Sequence, residues 1–164
     1  THLMDVVQWF TNNAPPVAAV AHGYVAKYIP AEHPDVFSAV FEYPKMMATW
    51  TLDYATSYED GWSITFLGDK AAMILREEGF RVVPTGPRGS ETFWRPDTKP
   101  IVEEKAQMTA VETHVQNFFD CIRTRKEPNC TVEIAAAAVA GPHLANIAMF
   151  GKKRAELPSG YLKS

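Results

Sequence analysis

Between Asp35 and Arg76 apolar and polar residues take turns along the chain. Met46, Ala48, Trp50, Leu52 and Tyr54 fall on one side of an extended backbone, and Met47, Thr49, Thr51 and Asp53 on the other. Trp62, Ile64 and Phe66 repeat the pattern against Ser63 and Thr65. Successive side chains of a strand point to opposite faces, so this period of two predicts three or four strands joined by short turns. One face is aromatic-rich and must be buried. The Thr/Ser face is polar rather than charged, as in an antiparallel sheet with one open side. The segment closes on Phe66-Leu67-Gly68-Asp69-Lys70-Ala71-Ala72-Met73-Ile74-Leu75. The rest of the chain reads as helix to cover the first face or loop to frame the second.

Residues 2 to 12 predict an amphipathic helix with Leu3, Val6, Val7 and Phe10 on one face. Thr1 is its candidate N-cap, and Asn12-Asn13-Ala14-Pro15-Pro16 ends it. Pro16 to Lys27 reads as a strand, Val17, Ala19 and Ala21 alternating with Ala18 and Val20. Tyr43-Pro44-Lys45-Met46 is a tight turn, Ser57 to Gly61 a longer polar connection, and Glu77-Glu78-Gly79 a hairpin before Phe80 to Val83. Regular pattern disappears from Pro84 to Met108. A connection this long predicts a functional loop, an interface arm or a disordered segment, and Phe93-Trp94 favours packing on a partner or a sheet edge. Thr109-Ala110-Val111-Glu112 is a capping box opening a helix with Val111, Val115, Phe118, Phe119 and Ile122 at helical spacing. An alanine-rich helix follows from Thr131 to about Phe150, with a kink or break expected at Gly141-Pro142. The tail after Gly151 is basic and then polar, and a loose end is expected.

The 164 residues suffice for one domain with a core, and no break in composition suggests two. A net charge of -3 argues against nucleic acid or an anionic membrane as the main partner. No run of eighteen apolar residues suggests a membrane span. Cys121 and Cys130 lack zinc or redox spacing, and Cys121 is expected as a buried thiol. Nor do the histidines show metal-ligand spacing, so no metal is expected. The chain opens Thr-His-Leu-Met-Asp, without Met or a signal peptide and directly inside a helical pattern. We expect a fragment of a cytoplasmic protein, with export of the full-length protein left open.

Three segments together resemble the C-terminal domain of the Gfo/Idh/MocA oxidoreductases, the family of glucose–fructose oxidoreductase and inositol dehydrogenase. His2-Leu3-Met4-Asp5, running into Val6-Val7-Gln8-Trp9-Phe10, resembles its H-x-x-D helix. Phe66 to Ile74 is similar to its strand, glycine turn and strand, with Ala71 where glycine is usual. His114-Val115-Gln116-Asn117-Phe118-Phe119-Asp120-Cys121-Ile122-Arg123-Thr124-Arg125-Lys126-Glu127-Pro128 resembles its H-x-x-N-F-x-D-C-I-R-x-x-K-x-P helix and following turn. The likeness runs in order along nearly the whole chain.

The resemblance implies an α+β fold: an open, largely antiparallel β-sheet with helices packed on one face. It also implies a parent protein that uses NAD or NADP on a sugar, polyol or derivative. The nucleotide would be bound mainly by a preceding Rossmann domain, and no Gly-x-Gly-x-x-Gly occurs here. The family's E-K-P lysine belongs to that domain, and its aspartate four residues before the histidine would lie just upstream of Thr1. The fragment alone is therefore not expected to turn over substrate. In the family the open sheet face commonly mates with another subunit, which makes a homo-oligomer the expected partner state.

By resemblance His2 is the catalytic histidine, beside the carbon that gives or takes hydride. Imidazole exchanges protons near neutral pH, which suits that role. Asp5, one turn later on the helix, is the candidate to orient it or to touch substrate. The plainer alternative is a terminal His and an Asp that complements the helix N-terminus. Tyr58, Asp60 and Trp62 precede the strand that ends at Gly68, where the family tends to place substrate contacts. Phenol, carboxylate and indole suit a hydroxyl-rich ligand; the alternative is a hairpin tip and one core aromatic. His114 is a candidate substrate contact or a core or cleft-edge histidine. His22 and His33 have no ligand-like neighbours. The rival reading of the whole chain is a non-catalytic binding or assembly module that uses its sheet as an interface.

Overall fold

The computed structural model describes residues 1–56, 61–91, 95, 98–106 and 110–161. Tyr58, Asp60, Phe93-Trp94 and the capping-box Thr109 lie outside the described residues. The elements are α1 (His2–Phe10), β1 (Ala18–Tyr24), β2 (Val36–Glu42), β3 (Met47–Asp53), β4 (Ser63–Leu67), β5 (Ala71–Arg76), β6 (Gly79–Pro84), β7 (Val102–Lys105), α2 (Ala110–Thr124), α3 (Val132–Gly151) and β8 (Ala155–Glu156). The fold is α+β, and every strand pairing is antiparallel. The strands form two four-stranded sheets, β3-β2-β1-β8 and β4-β5-β6-β7, rather than one continuous meander. The chain divides accordingly into two compact units, Thr1–Tyr58 with Arg125–Ser164, and Glu59–Thr124.

In the first unit the register follows the alternation read from the sequence. Ala39 pairs with Trp50 and Phe41 with Ala48, while Ser38 pairs with Thr51 and Val40 with Thr49. The Ala39 and Phe41 side of the sheet is buried, and α3 lies on it. This contact is built from small residues: Ala19 and Ala39 on the sheet, and Ala137, Ala138, Ala140, Ala145 and Ala148 on the helix, all buried. Small side chains let the helix approach closely, and Gly141 marks the tightest point. A Cβ there would stand 2.8 Å from Met4 Cε and 3.6 Å from Phe41 Cε1. Pro142 sits inside α3, which runs on to Gly151, so the expected break does not occur. By length and composition α3 is the one helix among the described residues that could cross a membrane; its alanine face is instead buried in this unit.

Gln8 ties the layers together. It is fully buried, its Nε2 donates to Ala137 O at 2.9 Å, and its Oε1 accepts from Thr11 Oγ1 at 2.9 Å and Tyr43 OH at 3.3 Å. Burial pushes the Tyr43 phenol up to about 12. Asp35, also buried, closes the β1–β2 loop by accepting the N–H groups of Ala26, Lys27 and Tyr28 at 2.6, 2.8 and 2.9 Å. Those three donors outweigh the desolvation of its carboxyl and lower it to about 2.

The tail after Gly151 begins with regular structure, while its last residues, 162–164, lie outside the described residues. Lys152 ends α3 in the left-handed conformation (φ 50°), and β8 then pairs with β1, Ala155 opposite Ala19. Arg154 clamps this strand, donating to Glu42 at 2.8 and 2.7 Å and to Glu156. The Arg154 hydrogen bonds, helped by its charge, hold the Glu42 carboxyl below its ordinary range.

In the second unit, the Glu77-Glu78 turn joins β5 to β6 as expected, with Arg76 opposite Gly79. The Gly68 turn also closes with Ala71 in the glycine position, Gly68 N–H donating to Ala71 O at 3.0 Å. The stretch 84–108 is not wholly irregular, because β7 adds to β6 within it. Gly79 is required there: its φ is +143°, and a Cβ would stand 2.0 Å from Glu104 O on β7. Helix α2 forms where expected, but its stripe is open. Val111, Val115, Phe118, Phe119 and Ile122 are all exposed, and Cys121 is half-buried rather than buried.

Candidate functional site

His2 and Asp5 share α1 in the first unit. The helix buries Met4, Val7 and Gln8, a stripe at i, i+3 and i+4 against α3. This corrects the face expected from the sequence, where Phe10 was grouped with Val7; Phe10 is 56% exposed. Burial of that stripe turns His2 outward into solvent at the first helical position. No hydrogen bond joins His2 to Asp5 among the described residues. Asp5 N–H donates to Thr1 O at 2.9 Å, and its Oδ1 is shielded from solvent without a donor among the described residues. The pair therefore offers an accessible imidazole and, one turn on, an uncommitted acceptor oxygen.

The other sequence candidates fall elsewhere. Trp62, half-exposed just before β4, and His114, exposed on α2, belong to the second unit. Tyr58 and Asp60 lie outside the described residues. Within the first unit, His2 and Asp5 are the candidates among the described residues, one turn apart on the same helix. Among the described residues no three His, Cys, Asp or Glu side chains could hold a metal ion. The described turns include no glycine-rich strand-to-helix loop of the kind that cradles a dinucleotide pyrophosphate.

Two shallow clefts escaped the sequence reading. One, about 220 Å³, is lined by Ala21, His33, Pro34, Phe37, Ala145, Asn146 and Met149; the other, about 230 Å³, shares Pro34 and Met149 and adds Glu32, Tyr24 and Lys152. His33 meets the Phe150 ring edge-on at 5.7 Å. Their residues come from β1, the β1–β2 loop, the start of β2 and the end of α3, so no local spacing announces them. Neither cleft includes His2 or Asp5.

The outward face of the first sheet is the remaining feature. Val20, His22 and Tyr24 on β1 align with Val40, Ser38 and Val36 on β2, and these with Thr49, Thr51 and Asp53 on β3. Val20, Tyr24 and Met47 are exposed there, and the Ser38 and Thr51 hydroxyls lie 3.4 Å apart. Asp53 at its border is engaged with Ala55 N–H and Thr56.

Comparison with known proteins agrees with this architecture. The family model for the C-terminal alpha/beta domain of the Gfo/Idh/MocA oxidoreductase family matches residues 1–154. No curated protein sequence matches the chain. Similar solved structures include UDP-N-acetylglucosamine 3-dehydrogenase GnnA from Acidithiobacillus ferrooxidans, with 14% identity and a TM-score of 0.72 over 99% of this chain and 48% of that one. The aldose-aldose oxidoreductase from Caulobacter crescentus, complexed with glycerol, has 15% identity and a TM-score of 0.70 over 94% of this chain and 44% of its own. The WlbA dehydrogenase from Bordetella pertussis, in complex with NADH and UDP-GlcNAcA, has 16% identity and a TM-score of 0.58 over 96% and 43%. The chain therefore spans about half the length of these structures. At such identities the likeness is one of fold. With the family model running through α1, both sheets and α2 and α3 to the Arg154 clamp, the chain belongs to the Gfo/Idh/MocA oxidoreductase family, as its C-terminal alpha/beta domain.

Proposed function

We propose that this chain is the substrate-side and oligomerisation half of an NAD(P)-dependent oxidoreductase acting on a sugar, a polyol or a derivative of one. The observation that supports the reading is the exposed His2 in the first turn of α1, in a His2-Leu3-Met4-Asp5 segment that resembles the family's H-x-x-D helix. A nicotinamide, bound by the preceding half of the parent protein, would supply or accept hydride. His2 would take the hydroxyl proton as the substrate carbon gives up hydride, and return it in reduction. Asp5, whose Oδ1 is shielded and without a donor among the described residues, would orient the imidazole or meet substrate once its side chain rotates outward. Trp62, His114, Tyr58 and Asp60 are the proposed further substrate contacts. Names of structural neighbours, among them a nucleotide-sugar dehydrogenase and an aldose oxidoreductase, support the substrate class.

The middle of the outward face of the first sheet, where Val20, His22, Ser38, Val40, Thr49 and Thr51 stand between the charges of Glu42 and Asp53 at its borders, supports the oligomerisation role, since desolvating Thr, Ser and Val costs far less than desolvating charge. It also favours the alternative of a non-catalytic assembly module. Turnover separates the two. The full-length parent, assayed with NAD(H) and NADP(H) over a panel of sugars, polyols and nucleotide sugars, should bind one cofactor and reduce or oxidise at least one class. Absence of cofactor binding would leave the assembly module.

A further inference from the structure

The two ends of the first sheet are guarded differently. At one end β8 is two residues long and is bordered by the Arg154–Glu156 ion pair. At the other end β3 is seven residues long, pairs only with β2 among the described strands, and contains no Lys, Arg, Pro or Gly. Its one charge, Asp53, is held to its own loop by the Ala55 and Thr56 N–H groups and the Thr56 hydroxyl. A long edge without a basic residue, proline or bulge is an open template for another strand. Its backbone is available as well. Tyr54 N–H donates to Asp35 O at 2.8 Å and Tyr43 N–H to Met46 O at 3.0 Å, at the two ends of one unbroken β2–β3 register. Backbone groups of successive strand residues point to opposite sides, so Ala48, Trp50 and Leu52 turn theirs to β2 and Thr49 and Thr51 turn theirs away. Thr49 and Thr51 are exposed, and their N–H groups meet no acceptor among the described residues.

We infer that β3 is a self-pairing edge, through which two copies of this chain join their first sheets antiparallel about a two-fold axis at Trp50. The strand itself selects a second copy as the occupant, because Met47-Ala48-Thr49-Trp50-Thr51-Leu52-Asp53 is symmetric in its pattern about Trp50. In such an isologous pair Thr49 stands opposite the partner's Thr51, Ala48 opposite the partner's Leu52, and Trp50 opposite the partner's Trp50. Ala48, Trp50 and Leu52 then keep to the side that α3 covers, and the threonines to the outward side. Met47 meets the partner's Asp53, so no like charges face each other across the pair. A slip of one residue would set threonine against tryptophan and spoil both faces. At the axis, Trp50 Nε1 is shielded from solvent and has no acceptor among the described residues, so the centre of this edge is where the chain by itself leaves a polar group unsatisfied. The pairing deepens the proposed oligomerisation role and rests on it; it is independent of the oxidoreductase reading.

The test combines Thr49→Cys and Thr51→Cys in the full-length protein, with Cys130→Ser because Cys130 is exposed. Opposed residues of a hydrogen-bonded antiparallel pair have Cα atoms about 5.5 Å apart, within reach of a disulfide. Mild oxidation should move the band on a non-reducing gel to the mass of two chains, and mass spectrometry should find position 49 of one copy joined to position 51 of the other. Should that variant fail to fold, the unsubstituted protein serves. Hydrogen exchange at the Thr49 and Thr51 amides should then slow as concentration rises through the monomer–oligomer transition, followed by sedimentation. An oligomer with neither the link nor the concentration-dependent protection overturns the β3 pairing and keeps the oligomerisation role. A monomer at every concentration overturns both. Protection already complete in the monomer would assign this edge to the same chain, and would likewise overturn the pairing.

Discussion

Gln8 Nε2 donates to the carbonyl oxygen of Ala137 at 2.9 Å, joining the first helix to the third across 129 residues of sequence. The bond lies in a fully dry setting, and Gln8 Oε1 is held at the same time by Thr11 and Tyr43. Replacing Gln8 with Leu leaves the Tyr43 hydroxyl without this partner and the α1–α3 contact without its only polar link of this kind among the described residues. Unsatisfied buried groups cost about 1–3 kcal/mol each. Chemical denaturation of Gln8→Leu should therefore show a loss of about 2–3 kcal/mol; a loss under about 0.5 kcal/mol would mean the site repacks freely.

Asp35 makes the first unit acid-sensitive. Its folded carboxyl is lowered to about 2 from an ordinary 3.8 by the Ala26, Lys27 and Tyr28 N–H groups. A depressed carboxyl favours the folded state fully above the ordinary value and loses that contribution as pH falls toward about 2. Asp35→Asn should lower Tm at neutral pH by about 5 °C, and the gap to the native chain should close between about pH 4 and 2. A gap that is independent of pH would show that the carboxylate charge contributes nothing.

Gly79 holds the β6–β7 edge by having no side chain. Its φ of +143° and the 2.0 Å approach of Glu104 O leave no room for a Cβ. In Gly79→Ala, hydrogen exchange should report lost protection at the amides of Ile101 and Ala106, which donate to Val82 and Glu78. Unchanged protection there would contradict the assigned pairing.

These elements differ in how far the sequence announced them. The alternation of β3 and the Thr/Ser side of the first sheet were legible because both faces of that hairpin differ sharply in polarity. Strand β7 was not, since Val102-Glu103-Glu104-Lys105 is exposed throughout and is held only by pairing with β6. Two-residue β8 depends on Arg154 reaching Glu42, a partner distant in sequence. On α1 the helix was legible but its buried side was not: Leu3, Val6, Val7 and Phe10 form as good an apolar stripe as Met4 and Val7, and the long-range bond of Gln8 decides between them. The stripe on α2 was equally clear, yet it is exposed. His2 was legible through the H-x-x-D resemblance; the Asp5 acceptor oxygen and the two clefts need the tertiary structure.

The outward sheet face yields a fourth expectation. Thr51 sits mid-face beside Ser38, so Thr51→Glu places a charge where a mating sheet would have to desolvate it. Sedimentation of the full-length parent should shift from an oligomer toward a smaller species. An unchanged mass would remove this face from the interface.

His2 is proposed to move the proton. Steady-state kinetics of the full-length parent and its His2→Ala variant, on whichever substrate turns over, test it directly. A proton-transfer residue contributes about 10²–10⁴-fold, so kcat should fall by that factor while cofactor affinity and Tm stay close to those of the native protein. A kcat within about twofold of the native value, in a folded and cofactor-binding variant, would contradict the assignment of His2.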